Sequence, residues 1–569
     1  MADRSGLGNG RSRRKVLLGA AAAGTAAIGA PIAATRLIGV DHHDPPKAPP
    51  RSKQHASESA ADAGGFADRD SSYAATTKTK ADTDLGLFKT ASDAARRTKV
   101  TVPTILDTSD PVLHLVRRTT PGATPEILAD ARNRGIDGWI ERQLDPKSID
   151  DSGADAIWAQ WPLASKDPAG VAASIERYHW DAMYAYGEAT LARQIWTRRH
   201  LYEVMVDFWA NHLNIETPSG DVWDTVPAWH NDVIRGHALG SFTDMLVAGM
   251  RHPAMLRYLS NDKSHKESVN ENLGRELLEL HTVGVASGFT ETDVRNSAYL
   301  LTGRTVLNTD DQDKRADFWY DPERHWTGAV KVLGFTHPNA DANAGLDVGD
   351  AYLRYLAAHP ATALSIARKL AVRFVADNPP APLVQRLAKA YLDHKTEIVP
   401  VLDILFRSGE FWAAVGQKSR RPLENLVAAA RVLGLKPGGN TTEGIKGLCW
   451  ATQEMGHRPL GWHAPNGYPD VREAWRSSGP LIFSWNFHRG LIQGWWDGVT
   501  YPDPAGLIGN RPQGSLTEYV DSLCELLTLQ RFQPAHRDAL VVFAGGAKLK
   551  DRVGELVPLI LDSPYFSLR

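Results

Sequence analysis

The segment SVNENLGRELLELHTVGV, residues 268–285, places several carboxylates, one arginine and one histidine on a few turns of predicted helix. Glu276 and Glu279 both approach the C-terminal end of that helix, where the helix dipole disfavours acidic side chains. A cation would neutralise them, either an arginine from elsewhere in the chain or a divalent metal ion. The candidate catalytic or metal-ligating residues are therefore Glu276, Glu279 and His281, with Arg275 as an orienting or anion-binding group.

Most of the same segment also has a purely structural interpretation. Ser268 followed three residues later by Glu271 predicts a capping box at the start of the helix. His281 in the last turn complements the negative end of the helix dipole. Glu271, Arg275 and Glu279 follow one another at four-residue spacing, which predicts a ladder of ion pairs on one face.

A second candidate histidine lies in the segment FWANHLN. His212 continues an apolar stripe formed by Leu201, Met205 and Phe208, and this pattern favours a hydrogen-bonded histidine in the core. A metal-ligating or proton-transfer role is the alternative, because neutral imidazole is suited to both.

Two further motifs supply candidates of second rank. In HNDVIRGHALG, Asp232 and Arg235 are one helical turn apart and can pair with each other, while His237 precedes a predicted helix end. In YDPERHW, Asp321 and His325 fall in a predicted loop, where a carboxylate and an imidazole are either catalytic groups or turn-forming groups.

Apolar residues recur at three- and four-residue spacing from residue 106 onward, which predicts a mainly α, multi-helix body. At 569 residues, the chain is expected to form two or more subdomains. Two segments, residues 304–350 and 455–479, are irregular and rich in Gly, Pro, Asp, His and Trp. We expect short strands or ordered loops there, covering a cleft.

The N-terminal residues predict export. Residues 1–36 carry the pair Arg13 and Arg14 before an uncharged stretch from Val16 to Ala34, and this pattern resembles a twin-arginine signal. The stretch is too weakly apolar for a stable membrane span, so we expect none beyond the signal. Residues 37–105 have few large apolar side chains and predict a disordered linker before the body at 106–569.

Composition excludes some partner classes. The formal net charge is −2, and no basic run follows the N-terminus, so binding of nucleic acid is not expected. The chain has two cysteines, Cys449 and Cys524, which argues against a thiolate metal site and leaves one disulfide or two thiols as alternatives.

Several long motifs together resemble the bacterial family known as domain of unknown function 1800. They are FWANHLNI, HNDVIRGHALGSFTDMLVAGMRHPAMLRYLSND, NENLGRELLELHTVGVASGFTETDV, FWYDPERHWTGAVKVLG, ARKLAVRFV and HAPNGYPD, in the family's order. The resemblance covers roughly residues 110–569 and implies an exported protein without a settled activity. It also implies a candidate partner, a co-exported protein of a secreted family related to sulfatases and alkaline phosphatases.

The chain departs from the family pattern at three positions. Relatives often carry a histidine, an aromatic residue and an aspartate where this chain has Ala210, Arg304 and Trp326. If that histidine or aspartate is a ligand in relatives, the site in this chain would bind differently.

Export, aromatic-rich loops and clustered carboxylates favour an envelope or extracellular hydrolase acting on a polymer such as a glycan, with or without a divalent metal. The alternative is a non-enzymatic envelope partner or scaffold for a co-exported enzyme, in which residues 271–281 form an ion-pair network. A redox or cofactor protein is a third hypothesis, suggested by the twin-arginine route alone.

Overall fold

Helices dominate the computed structural model, which describes residues 105–307, 316–475, 477–501, 503, 506–507, 514–545 and 549–569. The mainly α fold class predicted from the sequence is confirmed. The predicted signal at residues 1–36 lies outside the described residues, and so does the predicted linker at 37–105 except for its last residue.

The first half of the body contains helices α1 to α11 and two π-helices. The α-helices are α1 Pro111–Thr119, α2 Pro125–Leu144, α3 Ser152–Trp158, α4 Pro168–Ala172, α5 Asp181–Trp196, α6 His200–His212, α7 Val226–Ala228, α8 Phe242–Gly249, α9 Pro253–Tyr258, α10 Asn272–Glu276 and α11 Glu291–Leu301. The π-helices are Trp229–Arg235, which follows α7, and Leu277–His281, which follows α10.

The second half contains helices α12 to α23. They are α12 Gly345–Ala357, α13 Pro360–Phe374, α14 Ala381–Asp393, α15 Ile398–Phe406, α16 Gly409–Trp412, α17 Pro422–Val432, α18 Thr441–Glu454, α19 Ser478–Gln493, α20 Leu516–Thr528, α21 Pro534–Ala544, α22 Leu549–Leu561 and α23 Pro564–Ser567. No described helix is both long and apolar enough to cross a membrane.

The described residues contain three short antiparallel strand pairs, and two of these pairs lie in the irregular segment 304–350. Strand β1 (Arg304–Val306) pairs with β2 (Phe318–Tyr320), β3 (Val330–Val332) with β4 (Phe335–His337), and β5 (Lys436–Pro437) with β6 (Val499–Thr500). The expectation of short strands is therefore confirmed for the segment 304–350. In the second segment, the described residues 455–475 form turns and one 3₁₀ turn at Arg472–Trp475, and helix α19 begins at Ser478.

The sequence predicts two helix starts, one from Thr124 before Pro125 and one from Thr290 three residues before Asp293, and the structure has both. Thr124 accepts a hydrogen bond from the backbone N–H of Ile127 at the start of α2, and Pro125 occupies the first turn. Thr290 and Asp293 form a capping box at the start of α11. These local signals do not depend on tertiary packing, so the sequence alone predicts them.

Helix α5 packs against helices from both halves of the body, namely α3, α6, α17 and α18. Helix α10 packs against α11, and α13 packs against α14. One continuous apolar core joins these contacts and includes three large aromatic side chains that solvent barely reaches, Trp139, Trp209 and Trp229. Cys449 and Cys524 are both free thiols.

Candidate functional site

The helix that carries the main candidates begins differently from the sequence prediction. Helix α10 starts at Asn272, and the side-chain oxygen of Asn270 accepts from its backbone N–H at 2.9 Å. The capping box predicted between Ser268 and Glu271 is therefore wrong. Ser268 instead pairs with His265 in an isolated antiparallel bridge. This bridge closes a tight turn that ends before the helix begins.

Arg275 is held by two carboxylates outside the candidate pair. Its Nη1 and Nη2 atoms lie 2.9 and 2.6 Å from the two carboxylate oxygens of Glu291, and Nη2 lies 3.4 Å from Glu271. Of the predicted ladder, the pair of Glu271 and Arg275 is present, whereas Arg275 forms no ion pair within 4.0 Å with Glu279. Arg275 is thus committed to the contact with helix α11.

Glu276 and Glu279 have no cation within ion-pairing distance among the described residues. Burial raises the pKa of Glu276, and the charge of Glu279 raises it further, while Arg275 opposes both effects. Glu276 therefore keeps its proton more readily than an ordinary glutamate. A carboxyl group with a raised pKa beside a second carboxylate is an arrangement that suits general acid/base catalysis.

Tyr258 lies near enough to Glu276 for the charge of that carboxylate to act on its hydroxyl. Its hydroxyl donates to the backbone carbonyl of His463 at 3.0 Å. Burial, together with the charges of Glu216 and Glu276, raises the pKa of Tyr258 to about 12, so the phenol remains a proton donor at neutral pH. The Nδ1 atom of His463 contacts the carboxylate of Glu216. We call Glu216, Tyr258, Glu276, Glu279 and His463 the carboxylate site.

The irregular loop at residues 460–468 is fastened to the C-terminal end of α6. The side chain of Asn211 donates to the carbonyl of Tyr468 at 2.8 Å and accepts from its N–H at 2.6 Å. Asn214 donates to the carbonyls of Trp462 and Ala464 at 3.0 and 2.8 Å. These bonds position His463 at the carboxylate site, so two motifs that are distant in the sequence meet there.

Gly467 permits this docking. Its φ is +70°, and a Cβ atom would lie 2.1 Å from the carbonyl oxygen of Asn211. We expect Gly467→Ala to lower the free energy of unfolding by about 2 kcal/mol or more, because backbone strain and a clash with backbone act together. Gly456→Ala is the matched control, since Gly456 has φ +75° but an added Cβ meets no atom within 4 Å.

Urea unfolding of both variants measures the difference. The control carries only the penalty of the left-handed backbone, about 1 kcal/mol. Equal losses in the two variants would show that the loop does not depend on the close approach of Gly467 to α6.

His281 is separated from the carboxylate site. Its side chain is fully buried, and neither ring nitrogen has a hydrogen-bond partner among the described residues. Burial and the charge of Lys369 lower the pKa of His281 to about 3, so the ring is neutral. The imidazole therefore lies in the core, while Glu276 and Glu279 remain partly exposed.

His212 and Lys369 adjoin His281 in this interior cluster. The ammonium of Lys369 donates to Nδ1 of His212 at 2.8 Å and to the carbonyl of Leu280 at 3.0 Å. Since Nδ1 accepts, Nε2 of His212 carries the proton and donates to the carbonyl of His281 at 3.1 Å. Desolvation lowers the pKa of Lys369 to about 8. His212 is thus the hydrogen-bonded core histidine that its apolar stripe predicts.

Arg235 does not pair with Asp232, so that prediction is wrong. Its guanidinium forms a two-bond pair with the buried Glu203, at 2.8 and 2.7 Å, and contacts the hydroxyl of Tyr186 at 3.2 Å. The backbone from 229 to 235 is a π-helix, whose wider turn changes which side chains share a face. Asp232 is an exposed residue, but neighbouring atoms partly desolvate its carboxylate, and this desolvation and the charge of Asp167 raise its pKa. His237 donates from Nδ1 to the carbonyl of Val233 at 3.0 Å.

Asp321 and His325 stabilise a turn. Asp321 accepts from the backbone N–H of Glu323 at 3.0 Å and so caps the 3₁₀ turn Pro322–Arg324. The ring of the buried His325 lies between the carbonyl of Thr302, 2.9 Å from Nδ1, and the side-chain oxygen of Asn339, 3.1 Å from Nε2. Both ring nitrogens are occupied by these contacts, so the turn-forming interpretation accounts for this motif.

The three departures from the family pattern have local structural roles. Arg304 is buried and its Nη2 atom donates to Asp350 at 2.7 Å. Trp326 stacks on Tyr299 with ring centroids 4.1 Å apart. Ala210 is buried in helix α6.

The metal hypothesis has no matching group of ligands in the part of the chain that the structure describes. No three or more His, Cys, Asp or Glu side chains are arranged there to hold a metal ion. Glu276, Glu279 and His281 do not form such a group, because the imidazole is in the core and the two carboxylates are not. The residues present thus do not fit the ligand set that the sequence suggested.

Sequence reasoning missed four residues at or near these sites: Glu216, Tyr258, His463 and Lys369. Three of them lie in or directly after the motifs FWANHLNI, MLRYLSND and HAPNGYPD. Lys369 carries the clearest signal, because it stands within the mostly apolar helix ALSIARKLAVRF. Which partner each one meets depends on tertiary contacts.

The described residues thus define a mainly α-helical protein, in which the candidate carboxylate site is bordered by an irregular loop. The chain matches the family model described as Protein of unknown function (DUF1800) over residues 114–568, and it belongs to that family. No curated protein matches the chain, and no solved structure matches it.

Proposed function

We propose that the protein is an exported hydrolase that acts on an envelope or extracellular polymer, most simply a glycan, by general acid/base catalysis. The observation that carries the proposal is Glu276, a partly buried acid with a raised pKa that lies beside Glu279 without a neutralising cation. Pairs of carboxylates in which one member keeps its proton are the usual machinery for glycosidic bond cleavage.

In this proposal, Glu276 donates a proton to the leaving-group oxygen, and Glu279 remains the carboxylate that activates water or stabilises developing positive charge. Tyr258 is a positioning residue, because its hydroxyl is fixed on the loop carbonyl of His463. Trp462, whose ring centroid lies 4.9 Å from that of Tyr468, supplies an aromatic surface on the same loop that suits a sugar ring. No step passes through a metal ion.

Export belongs to the proposal as well. Its support is the pair Arg13 and Arg14 before an uncharged Ala- and Gly-rich stretch. N-terminal sequencing of protein recovered outside the cytoplasm tests it, since an intact N-terminus on cytoplasmic protein would contradict export.

We expect Glu276→Gln to lower the rate of polymer hydrolysis by about 10²- to 10⁴-fold, because an amide cannot donate the catalytic proton. The measurement is release of reducing ends from purified cell-wall polysaccharide. Wild-type activity should also decline as pH rises through the raised pKa of Glu276, since the acid must be protonated. The matched control is Glu443→Gln, at a site where the side chain is 60% exposed and pairs only loosely with Lys446.

Glu279→Gln tests the second carboxylate and should lower the rate by a similar factor of about 10² or more. It should also lower the pKa that governs the alkaline limb, because the charge that raises the pKa of Glu276 is removed. An active wild type in which both glutamine variants retain full activity would exclude the carboxylate site as the catalytic site.

A non-enzymatic partner role is the second candidate, and one surface favours it. Helix α19 leaves Leu481, Ile482 and Trp485 about half exposed, at 48%, 52% and 47%. Exposed apolar patches of this kind often bind other proteins. A co-exported protein of the sulfatase-related family is the partner under this hypothesis. Wild-type protein that hydrolyses no polymer but loses that partner upon Ile482→Asp would favour this role.

A further inference from the structure

A cavity of about 400 Å³ lies away from the carboxylate site, between the start of α17, the 3₁₀ turn Arg472–Trp475, α19 and α23. Its volume is that of a pocket for a small organic molecule. Two guanidinium groups, Arg420 and Arg472, form part of the wall, and Trp475 and Leu481 supply apolar surface.

Arg420 lacks the partners that a guanidinium in such a place normally has. Its side chain stacks over the ring of Phe566, with the guanidinium carbon 4.7 Å from the ring centroid. Among the described residues, no carboxylate lies within 4.0 Å of it and no oxygen accepts a hydrogen bond from its side chain. A guanidinium has five N–H donors, so the side chain of Arg420 can donate hydrogen bonds to a molecule in the cavity.

The surroundings of Arg420 are positively charged. Burial, aided by the charges of Arg117 and Arg569, lowers the pKa of Arg420 to about 9, although Glu424 opposes the shift. The surroundings of Arg420 in the folded protein therefore disfavour its protonated, positively charged form. An anion in the cavity would remove that penalty, because opposite charge at short range favours the protonated guanidinium.

The remaining polar groups of the wall can orient such an anion. The Nε atom of Arg472 donates to the hydroxyl of Ser419 at 2.9 Å, and its Nη2 atom donates to the carbonyl of Gly416 at 3.3 Å. The Nη1 atom therefore remains available to a ligand. Asn425 donates to the hydroxyl of Ser484 at 2.9 Å, while its buried side-chain oxygen has no partner among the described residues. The cavity thus combines unpaired donors, one unpaired acceptor and a hydroxyl.

We infer that this cavity binds a small organic anion, whose carboxylate or phosphate group pairs with Arg420 and Arg472 and whose body packs against Trp475 and Leu481. Trp475 is fixed for this role, because its indole N–H donates to the carbonyl of Pro469 at 2.8 Å and its ring stacks on His457. The inference does not depend on the hydrolase proposal, since none of these residues belongs to the carboxylate site.

Isothermal titration of the full chain with glucose, glucuronate and glucose 6-phosphate tests the inference. The three probes share one ring and differ in the charged group, and inorganic phosphate serves as a probe without a body. We expect one or both charged sugars to bind and glucose not to bind. Binding of glucuronate alone or of glucose 6-phosphate alone identifies the anionic group. Equal binding of glucose, or no binding by any charged probe, would overturn the inference.

Arg420→Met should weaken binding of the charged probe by about tenfold or more, because a charge-assisted hydrogen bond is lost. The melting temperature of this variant without ligand should be unchanged or higher, since the charges of Arg117 and Arg569 disfavour a cation at this position. Arg132→Met is the control, because its side chain is 55% exposed and distant in sequence from the cavity wall.

A second variant keeps the test decisive if Arg420→Met does not fold. Leu481→Trp enlarges a half-exposed side chain in the cavity wall and leaves both guanidinium groups in place. It should also abolish binding of the charged probe. Unaltered affinity in either folded variant would place the anion elsewhere and overturn the inference.

Discussion

Glu424→Gln is expected to lower the free energy of unfolding by about 3–5 kcal/mol, because the buried Arg569 loses its ion pair among the described residues, and Arg373 and Arg421 keep only their ion pairs with Asp207 and Asp470. The carboxylate of Glu424 contacts the Arg373 guanidinium, lies 3.2 Å from Nη2 of Arg421 and lies 3.3 Å from Nη2 of Arg569. It also accepts the backbone N–H of Arg421 at 2.8 Å. All three arginine side chains are buried. Glutamine keeps the shape of the side chain, removes the charge and replaces one accepting oxygen with an NH₂ donor.

The pH dependence of this effect follows from the pKa of Glu424. Burial alone would raise that pKa, but Arg373, Arg569 and Arg421 together outweigh burial and hold it well below its usual range. A depressed carboxyl pKa contributes stability that is fully present above the unfolded-state pKa of about 4.5 and is lost as pH falls through the folded-state value. The difference between wild type and Glu424→Gln should therefore be full at neutral pH and shrink in strong acid.

Chemical unfolding at neutral pH measures the loss, with Glu443→Gln as the control at an exposed glutamate. An exposed ion pair contributes about 1 kcal/mol at most, so the control should change little. A loss below about 1 kcal/mol for Glu424→Gln would show that water or rearrangement of the arginines replaces the missing charge.

Local features of the fold could be predicted from the sequence because they depend on near neighbours. The caps at Thr124 and Thr290 involve contacts three residues apart, and both form as predicted. The apolar stripe that contains His212 correctly places this histidine in the core. A periodic pattern reports which side of a helix is buried, and His212 lies on that side.

Partner choice could not be predicted in the same way. Arg235 pairs with Glu203, 32 positions earlier in the sequence, although Asp232 is one turn away. A buried guanidinium gains more from a buried carboxylate held in a two-bond geometry than from an exposed one. The π-helices add a second difficulty, because they change the register on which the i, i+4 argument for Arg275 and Glu279 depends.

The candidate site also combines features that the sequence could predict with features that depend on tertiary contacts. The chemical types of Glu276 and Glu279 were visible in the sequence, and so was their place near the C-terminal end of a predicted helix. Their neighbours Tyr258 and His463 were not, because 205 positions separate those two residues. Local composition thus indicated the carboxylates, whereas the wall of the site depends on how a distant loop docks on α6.

Acidification is expected to destabilise the protein strongly below about pH 6.5, because several histidines are buried in their neutral form. Burial lowers the pKa of His114, His230 and His281 to about 3 in each case, and neighbouring positive charges act in the same direction. Each side chain is at most 2% exposed. The folded chain therefore cannot take up protons that the unfolded chain binds below pH 6.5.

The sign and the size of this change in the free energy of unfolding follow from the number of protons that the unfolded and folded chains bind. Between the unfolded-state pKa of 6.5 and the folded-state value of about 3, the unfolded chain binds more protons, so stability falls as pH falls. At about pH 5, each such histidine accounts for a loss of about 2 kcal/mol, and three of them for about 6 kcal/mol. His200, His212 and His457 add to the effect, because burial also lowers their pKa values well below the ordinary range.

Replacement of a single histidine isolates its share, and His281 is the most favourable choice. Its ring has no hydrogen-bond partner among the described residues, so His281→Met removes a titrating group without breaking a side-chain bond. In denaturant unfolding, the variant should lose about 2 kcal/mol less than wild type between pH 7 and about pH 5. His394→Gln, at an exposed position, should follow the wild-type curve. If His281→Met also follows it, the imidazole must exchange protons freely in the folded protein. His281 would then be linked to solvent and available for the proton transfer that its burial otherwise excludes.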